Sequence, residues 1–370
     1  MSQSHLHSLI AQEAENAGFS AAGIAAVPEP GSPEDISDRA TFAEWIEQGN
    51  AGEMEYLKRR NDAGELVRSS LRLAVPWARS VIVCVTNYNT AQPRSIDPAS
   101  DDAGWIARYA WTGQPGGDGL FPSDYHKVIL KRLERLDATL KAEVGAFESK
   151  CYVDTGPLVE RIYARYAGLG WTGKNTCILN QHLGSWLFLG VILSSLELPD
   201  GQRTELAADR CGSCTRCIDA CPTNALIGPR QMDASLCISY LTIEKRGAVA
   251  EELRSAIGRQ IFGCDICQDV CPWNRKAPIA ADPELQPRTE LVNPALDWLA
   301  ELDQEQFGKL FFGSPIKRAK FEGLRRNLAV AMGNSGLRQF LPRLQEWAMS
   351  SDAVLAETSA WAIRQIENRE

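Results

Sequence analysis

Cys211-Gly-Ser-Cys214-Thr-Arg-Cys217-Ile-Asp-Ala-Cys221-Pro222 is the stretch on which the reading of this chain turns. Three cysteines at intervals of three, then a fourth followed by proline, is the spacing of a ferredoxin-type 4Fe–4S site. The first three thiolates can wrap one cluster, and the fourth reaches a neighbouring one. A second run supplies that neighbour: Cys264-x2-Cys267-x3-Cys271-Pro272 repeats the last three positions of the pattern. Its missing first position falls on Ile261, and Cys237 is the nearby unassigned cysteine that can replace it. Under the crossing rule one cluster takes Cys211, Cys214, Cys217 and Cys271, and the other takes Cys221, Cys237, Cys264 and Cys267. Zinc is the competing reading. Zinc sites favour paired CxxC knuckles, however, and a CxxCxxC run closing on Cys-Pro suits a tetrahedral ion poorly. Cys84, Cys151 and Cys177 remain, each among apolar or strand residues, and read as small core side chains.

The rest of the composition agrees with metal-binding rather than disulfide-bonded cysteines. No Lys or Arg precedes Arg39, so a secretory signal with a basic start is not expected, and a reducing cytoplasm is. The longest apolar run, Trp186–Leu193, is too short to span a bilayer, so no membrane partner is expected. At 370 residues the chain has room for two or three domains. A net charge of −8 gives no overall basic field, which leaves a nucleic-acid partner to a local patch.

Before the cysteines, residues 1–200 mix strand and helix signals. Ser80-Val-Ile-Val-Cys-Val85 and Leu187–Leu193 read as buried strands. Asp124 can cap a long helix whose stripe is Ile129, Leu133, Leu136, Leu140 and Val144. Thr41-Phe-Ala-Glu44 has the form of a capping box opening a helix. Strands alternating with helices argue for an α/β domain. Between Trp111 and Ser123, four glycines and two prolines predict a mobile loop, either a surface insertion or a lid. Residues 201–285, rich in Pro and Gly, form the cysteine module, and residues 286–370 turn helical. Leu324–Met332 and Leu355–Ile363 share a small-residue character that suggests HEAT-like helix pairs. Lys317, Arg318, Lys320, Arg325 and Arg326 face a single acid, Glu322, in the same region. Such a patch is either a solvated helix face or a phosphate contact.

Two further motifs fail on inspection. Gly168–Asn175 approaches a P-loop, but Asn175 stands where Ser or Thr should hold magnesium, and a helix rather than a strand precedes it. Asp124-Tyr-His126 begins like an Asp-x-His cobalamin signature, yet Ile129 occupies the position of its glycine. Asp154, before a Gly-Pro turn, is by its surroundings an ordinary turn aspartate.

Taken together, these pieces resemble the epoxyqueuosine reductases. The likeness is carried by Gly52-Glu-Met-Glu-Tyr-Leu-Lys-Arg59, Arg108-Tyr-Ala110, Asp124-Tyr-His-Lys127, Tyr152-Val-Asp-Thr-Gly-Pro-Leu-Val-Glu-Arg161 and Ala167-Gly-Leu-Gly-Trp-Thr-Gly-Lys-Asn175. It continues through both cysteine runs, Cys237-Ile-Ser-Tyr-Leu-Thr-Ile-Glu244 and Cys271-Pro-Trp-Asn274. One departure is the Gly/Pro insertion, where the family has a short link. The resemblance implies an N-terminal α/β cobalamin domain of reductive-dehalogenase or nitroreductase type, a ferredoxin-like two-cluster module and a C-terminal HEAT-like helical domain. It implies base-off cobalamin and reduction of epoxyqueuosine to queuosine at the wobble position of tRNA. Asp154 is then the proton donor, and Tyr125 and His126 lie near the substrate. Arg59, Lys174, Asn175, Ile178, Ser239 and Asp265 neighbour the cobalamin. The basic patch would hold the anticodon stem-loop, and a flavodoxin- or ferredoxin-type donor would feed electrons to a monomeric enzyme.

Overall fold

The β-branched run at residues 80–85 lies at the centre of the fold. In the computed structural model, which describes residues 3–117, 119–198 and 204–368, it belongs to a four-stranded sheet. The strands are β1 (Ala21–Ala26), β2 (Ser80–Asn87), β3 (Ser149–Tyr152) and β4 (Leu187–Ser194), in the order β1-β2-β4-β3. Strands and helices alternate as expected, but all three pairings are antiparallel. The helices therefore cover the sheet rather than link parallel strands.

β2 is buried along its whole length because both faces are covered. Alternate side chains go to opposite faces of a strand. Ile82 and Cys84 accordingly join Ile24 and Ile192 in one core, while Val81, Val83 and Val85 join Val191 and Leu193 in the other. The helix Tyr125–Val144 covers the first face. Ile129, Leu133, Leu136 and Leu140 of the expected stripe are completely enclosed, each contributing about 1.5–3 kcal/mol by its burial. Gly190 of β4 permits that approach: a Cβ there would stand 2.7 Å from Ile129 and 3.0 Å from Leu133. The short helix Glu160–Tyr166 covers the second face with Tyr163 and Ala164.

Two expectations change, and one exclusion holds. The helix near Thr41 begins earlier, as Pro33–Glu47, with Ser32 accepting from Asp35 N; Thr41 Oγ1 donates to Ser37 O from mid-helix. Pro33 in the first turn, where a missing N–H costs nothing, sets that start. The Gly/Pro insertion is a β-hairpin, Thr112–Gly116 paired with Gly119–Pro122, and Gln286–Pro287 adds a third strand. Gly168–Asn175 is likewise no phosphate loop: Trp171–Thr172 pairs with Ile178–Leu179 in a tight hairpin.

Helices Leu296–Ala300, Gln304–Leu310, Lys320–Ser335, Leu341–Ala348 and Ala353–Glu367 make up the C-terminal part. Helix Lys320–Ser335 lies against Ala353–Glu367 so closely that a Cβ on Gly333 would be 2.8 Å from Ala362 Cα. Their shared core takes in Ile238, Leu241 and Phe262 from the cysteine module and Trp105 and Trp111 from the N-terminal half. No helix among the described residues is long and apolar enough to cross a membrane.

Candidate active site and cluster ligands

The motif thiols influence one another electrostatically along two lines. Burial raises the thiol of Cys217, and the charges of Cys211 and Cys214 add to it; burial raises Cys271, with Cys211 and Cys217 adding. Burial likewise raises Cys264, assisted by Cys237 and Cys221, while Cys267 feels Cys264 and Cys237. The charges of Cys211 and Cys217 thus reach Cys271 of the second run, and that of Cys221 reaches Cys264, the pairing that the crossing rule expects. Among the described residues no three His, Cys, Asp or Glu side chains close on a single ion. The local backbone explains the arrangement, since Arg216–Asp219 and Ile266–Asp269 are matching one-turn helices, each set between a CxxC and a Cys-Pro. Trp171 Nε1 reaches Cys211 Sγ at 3.4 Å. Cys84 is a core residue as expected and Cys151 packs against that core, but Cys177 is not simply one: its thiol and that of Cys267 act on each other, lowering Cys177 and raising Cys267.

Around Asp154 the geometry is tighter. Asp154 follows β3 with φ +56°, a left-handed conformation that a non-glycine residue adopts at a cost. Two neighbours at the start of helix Tyr125–Val144 hold its carboxylate. Tyr125 Oη donates to Asp154 Oδ2, and His126 Nε2 lies 3.3 Å from the same oxygen. The other ring nitrogen, Nδ1, is 2.8 Å from Asp124 Oδ1, so the helix N-cap also orients the histidine. Phe188, Tyr125 and His126 form a stack, with ring centroids 4.1 Å and 4.0 Å apart. Desolvation alone would lower His126. Its hydrogen bonds to Asp124 and Asp154 prevail and push it up to about 9, so it is a cation at neutral pH. Burial, reinforced by the charge of Asp154, holds the Tyr125 phenol well above its usual value. The Asp154 side chain is 48% exposed and open to a ligand.

Several participants lie inside the segments that carry the resemblance, though no role is read for them there. Tyr109 is half-buried and packs edge-on against Tyr125; burial raises its phenol, with the charges of Asp154, Asp265 and Glu244 adding and that of Arg318 opposing. Glu160 opens the helix behind Asp154 with Oε1 unpartnered, and desolvation lifts its carboxyl to about 7 with Asp154 adding. Glycine is required at position 52, where φ is +55° and a Cβ would meet the Tyr240 ring at 2.6 Å. Tyr240 Oη in turn accepts from Glu53 N, joining the segment before Arg59 to the cysteine module.

The residues expected around a cofactor are less uniform. Lys174 Nζ donates to Gly212 O at 2.7 Å, and Asn175 Nδ2 approaches Cys267 O at 3.4 Å. Asp265 is fully enclosed, accepting from Arg108 N and Trp105 Nε1, so its carboxylate organises the protein and is not free for a ligand. Ile178 lies in the sheet core, which leaves only its backbone to offer. Ser239 is half-buried and Arg59 exposed. Of the basic patch, Lys317, Arg318 and Lys320 are exposed. Arg318 pairs with Glu244 and lies over Tyr56. Arg325 stacks between Phe321 and Trp347. Arg326 departs from expectation: it is 3% exposed and donates to the carbonyls of Leu241, Lys245 and Gly247, which removes it from any outer surface.

Known proteins match this layout. Residues 68–155 match a family described as "Epoxyqueuosine reductase QueG, DUF1730", and residues 210–274 match a 4Fe-4S double cluster binding domain. An epoxyqueuosine reductase of Xanthomonas campestris is 38% identical over 95% of this chain and 94% of its own length. That of Pseudomonas aeruginosa is 40% identical over 86% of this chain and 82% of its own. A crystal structure of epoxyqueuosine reductase with an epoxyqueuosine-modified tRNA-Tyr stem-loop superposes with a TM-score of 0.82 at 27% identity, covering 98% of this chain and 90% of that one. With its fold, its cysteine runs and relatives of this similarity in agreement, the chain belongs to the epoxyqueuosine reductases, a family of oxidoreductases.

Proposed function

We propose that this chain reduces epoxyqueuosine to queuosine at the wobble position of tRNA, with Asp154 as proton donor, cobalamin at the reacting centre and two 4Fe–4S clusters as the electron path. The observation that carries the reading is the Asp124–His126–Asp154 chain with Tyr125, against which Tyr109 packs edge-on. The overall change is an epoxide plus two electrons and two protons giving an alkene and water. Cobalamin, when bound, supplies a strongly nucleophilic reduced cobalt, and the clusters supply electrons singly.

The protein's share is proton delivery and positioning. Asp154 presents its carboxyl to the departing oxygen. His126, a cation at neutral pH, can return a proton to Asp154 Oδ2 through the 3.3 Å contact, and Asp124 stabilises the charge. Tyr125 keeps its proton and fixes the carboxylate. Because 48% of the Asp154 side chain is exposed, desolvation must come from the bound cofactor and base rather than from the fold. Both ring nitrogens of His126 are engaged by carboxylates, so the histidine has no lone pair for cobalt, in keeping with base-off binding. Backbone groups near Asn175, Ile178, Ser239 and Cys264, with Lys174 and Arg59, would hold the corrin.

The substrate is a base in an RNA loop, which must be splayed out to be reached. Lys317, Arg318 and Lys320 would hold the flanking phosphates. Residues 1–200, 201–285 and 286–370 then divide into a cobalamin unit, an electron-transfer unit and an RNA-holding unit. The test is turnover of an epoxyqueuosine-bearing anticodon stem-loop by enzyme reconstituted with clusters and cobalamin. Mass analysis should show loss of one oxygen with wild type, and at most about a hundredth of that rate with Asp154→Ala. Wild-type turnover by Asp154→Ala would sink the assigned role.

A further inference from the structure

Electrons for this reaction come from outside the chain, and one surface over the cysteine module is built to receive their carrier. The two one-turn helices Arg216–Asp219 and Ile266–Asp269 pack together, and the outer face of the pair borders an open cavity of about 430 Å³. Arg94, Ile96, Arg216, Asp219, Val270 and Arg275 are among its walls. These are direct chain neighbours of the thiols: Arg216 precedes Cys217, Val270 precedes Cys271, and Arg275 follows it by four residues. Cys214 and Cys217 are themselves partly exposed.

The charge balance there is one-sided. Arg216 and Arg275 are exposed and have no ion-pair partner among the described residues, and the same holds for Arg210, beside Cys211, and Lys276. Arg94 is neutralised by Asp97 at 2.6 Å. Of the acids, Asp219 is one exposed anion, hydrogen-bonded by Thr215 Oγ1 at 2.8 Å, and Asp269 is 4% exposed, bound by Ser95, so two free arginines face a single exposed acid. The accessible excess is therefore positive, with apolar Ile96 and Pro272 exposed beside it. In a chain of net charge −8, an acidic protein would otherwise be repelled.

We propose that this surface docks an acidic one-electron carrier protein, which delivers electrons to the cluster held by Cys211, Cys214, Cys217 and Cys271. The inference rests on the reading of those cysteines as cluster ligands. In each encounter the carrier is oxidised by one electron and the cluster reduced by one, so two encounters supply the two electrons of one epoxide. None of the residues assigned to RNA belongs to this surface.

The test uses holoenzyme and the pair Arg216→Glu/Arg275→Glu. Cluster bleaching is followed by anaerobic stopped flow with reduced flavodoxin as the acidic carrier, and separately with dithionite, which needs no docking. At low ionic strength the second-order rate with flavodoxin should fall about ten- to a hundredfold, and its salt dependence should flatten. Reduction by dithionite, dithionite-driven turnover and stem-loop affinity should stay at wild-type values. Unchanged flavodoxin kinetics would overturn the inference. A loss of stem-loop affinity instead would make this an RNA surface, which also overturns it. Should charge reversal lower cluster content, Arg216→Gln/Arg275→Gln decides, with an intermediate slowing expected. Failure of dithionite-driven turnover in wild type would instead count against the proposed reaction.

Discussion

Replacing His126 by glutamine keeps an N–H near Asp154 but removes the charge and the transferable proton. In the folded protein His126 moves from 6.5 to about 9, because two carboxylates outweigh the desolvation that opposes them. At about 1.36 kcal/mol per pH unit this is about 3 kcal/mol in favour of the cation. The ring is 33% exposed, so screening reduces the figure to about 1–2 kcal/mol. If that preference keeps Asp154 supplied with a proton, His126→Gln should slow single-turnover oxygen loss by about 5–30-fold at pH 7.5. The pH profile should also change. Wild type should lose rate as pH rises through about 9, where His126 gives up its proton, and the variant should lack that limb. Stability follows the same sign. The folded value exceeds the unfolded one, so the contribution is complete below about pH 6.5 and disappears as pH rises through about 9. Rapid-quench assays from pH 6 to 10 on cluster- and cobalamin-loaded enzyme would decide it. An unchanged rate with the alkaline limb intact would refute the relay.

Other outcomes follow from the same structure. Arg326→Gln leaves buried carbonyls of Leu241, Lys245 and Gly247 without their charged donor, so chemical denaturation should show a loss of about 3–5 kcal/mol, while the folded protein binds stem-loop normally. Lys317→Glu/Arg318→Glu/Lys320→Glu should do the reverse: unfolding should hardly shift, and the salt slope of stem-loop binding, measured by fluorescence titration, should shrink by about two. Cys237→Ser removes one ligand of the second set. Iron content and electron paramagnetic resonance should then report one intact cluster and one lost or altered, whereas two unaltered clusters would mean that another thiol, with Cys177 the nearest candidate, completes that set.

Legibility in the sequence followed the range of the interactions. Cluster spacing is local and covalent, so both Cys-Pro runs stand out directly, and residues 210–274 match a 4Fe-4S double cluster binding domain; the division of the thiols between two clusters, with Cys237 recruited, is the proposed reading. The stripe from Ile129 to Leu140 was equally plain, being one helix with one period. Capping was not: Ser32-Pro33 and Thr41–Glu44 both have the chemistry of a helix start, and only the tertiary setting put Thr41 inside the helix. The glycine-rich insertion reads as mobile by composition, yet Gln286–Pro287, 173 to 175 positions along the chain, gives it a partner strand, which composition does not encode. Arg326 was grouped with its neighbours by charge alone, and only the position of helix 238–243 shows that it points inward. Tyr109 and Glu160 lie within segments that carry the resemblance, yet their role is not legible there, because it lies in standing near Asp154. Cys177 looked like core because its neighbours in the chain are apolar or polar without charge, while its neighbour in space is Cys267.

The account is tested most directly by counting electrons. Enzyme loaded with clusters and cobalamin, mixed anaerobically with excess epoxyqueuosine stem-loop, should be titrated with limiting dithionite, with product measured by mass and the cluster spectrum followed throughout. One oxygen should be lost for every two electrons added, with the clusters returning to their oxidised spectrum after each addition. Clusters that stay reduced in the presence of substrate, or product formed without electrons consumed, would contradict it.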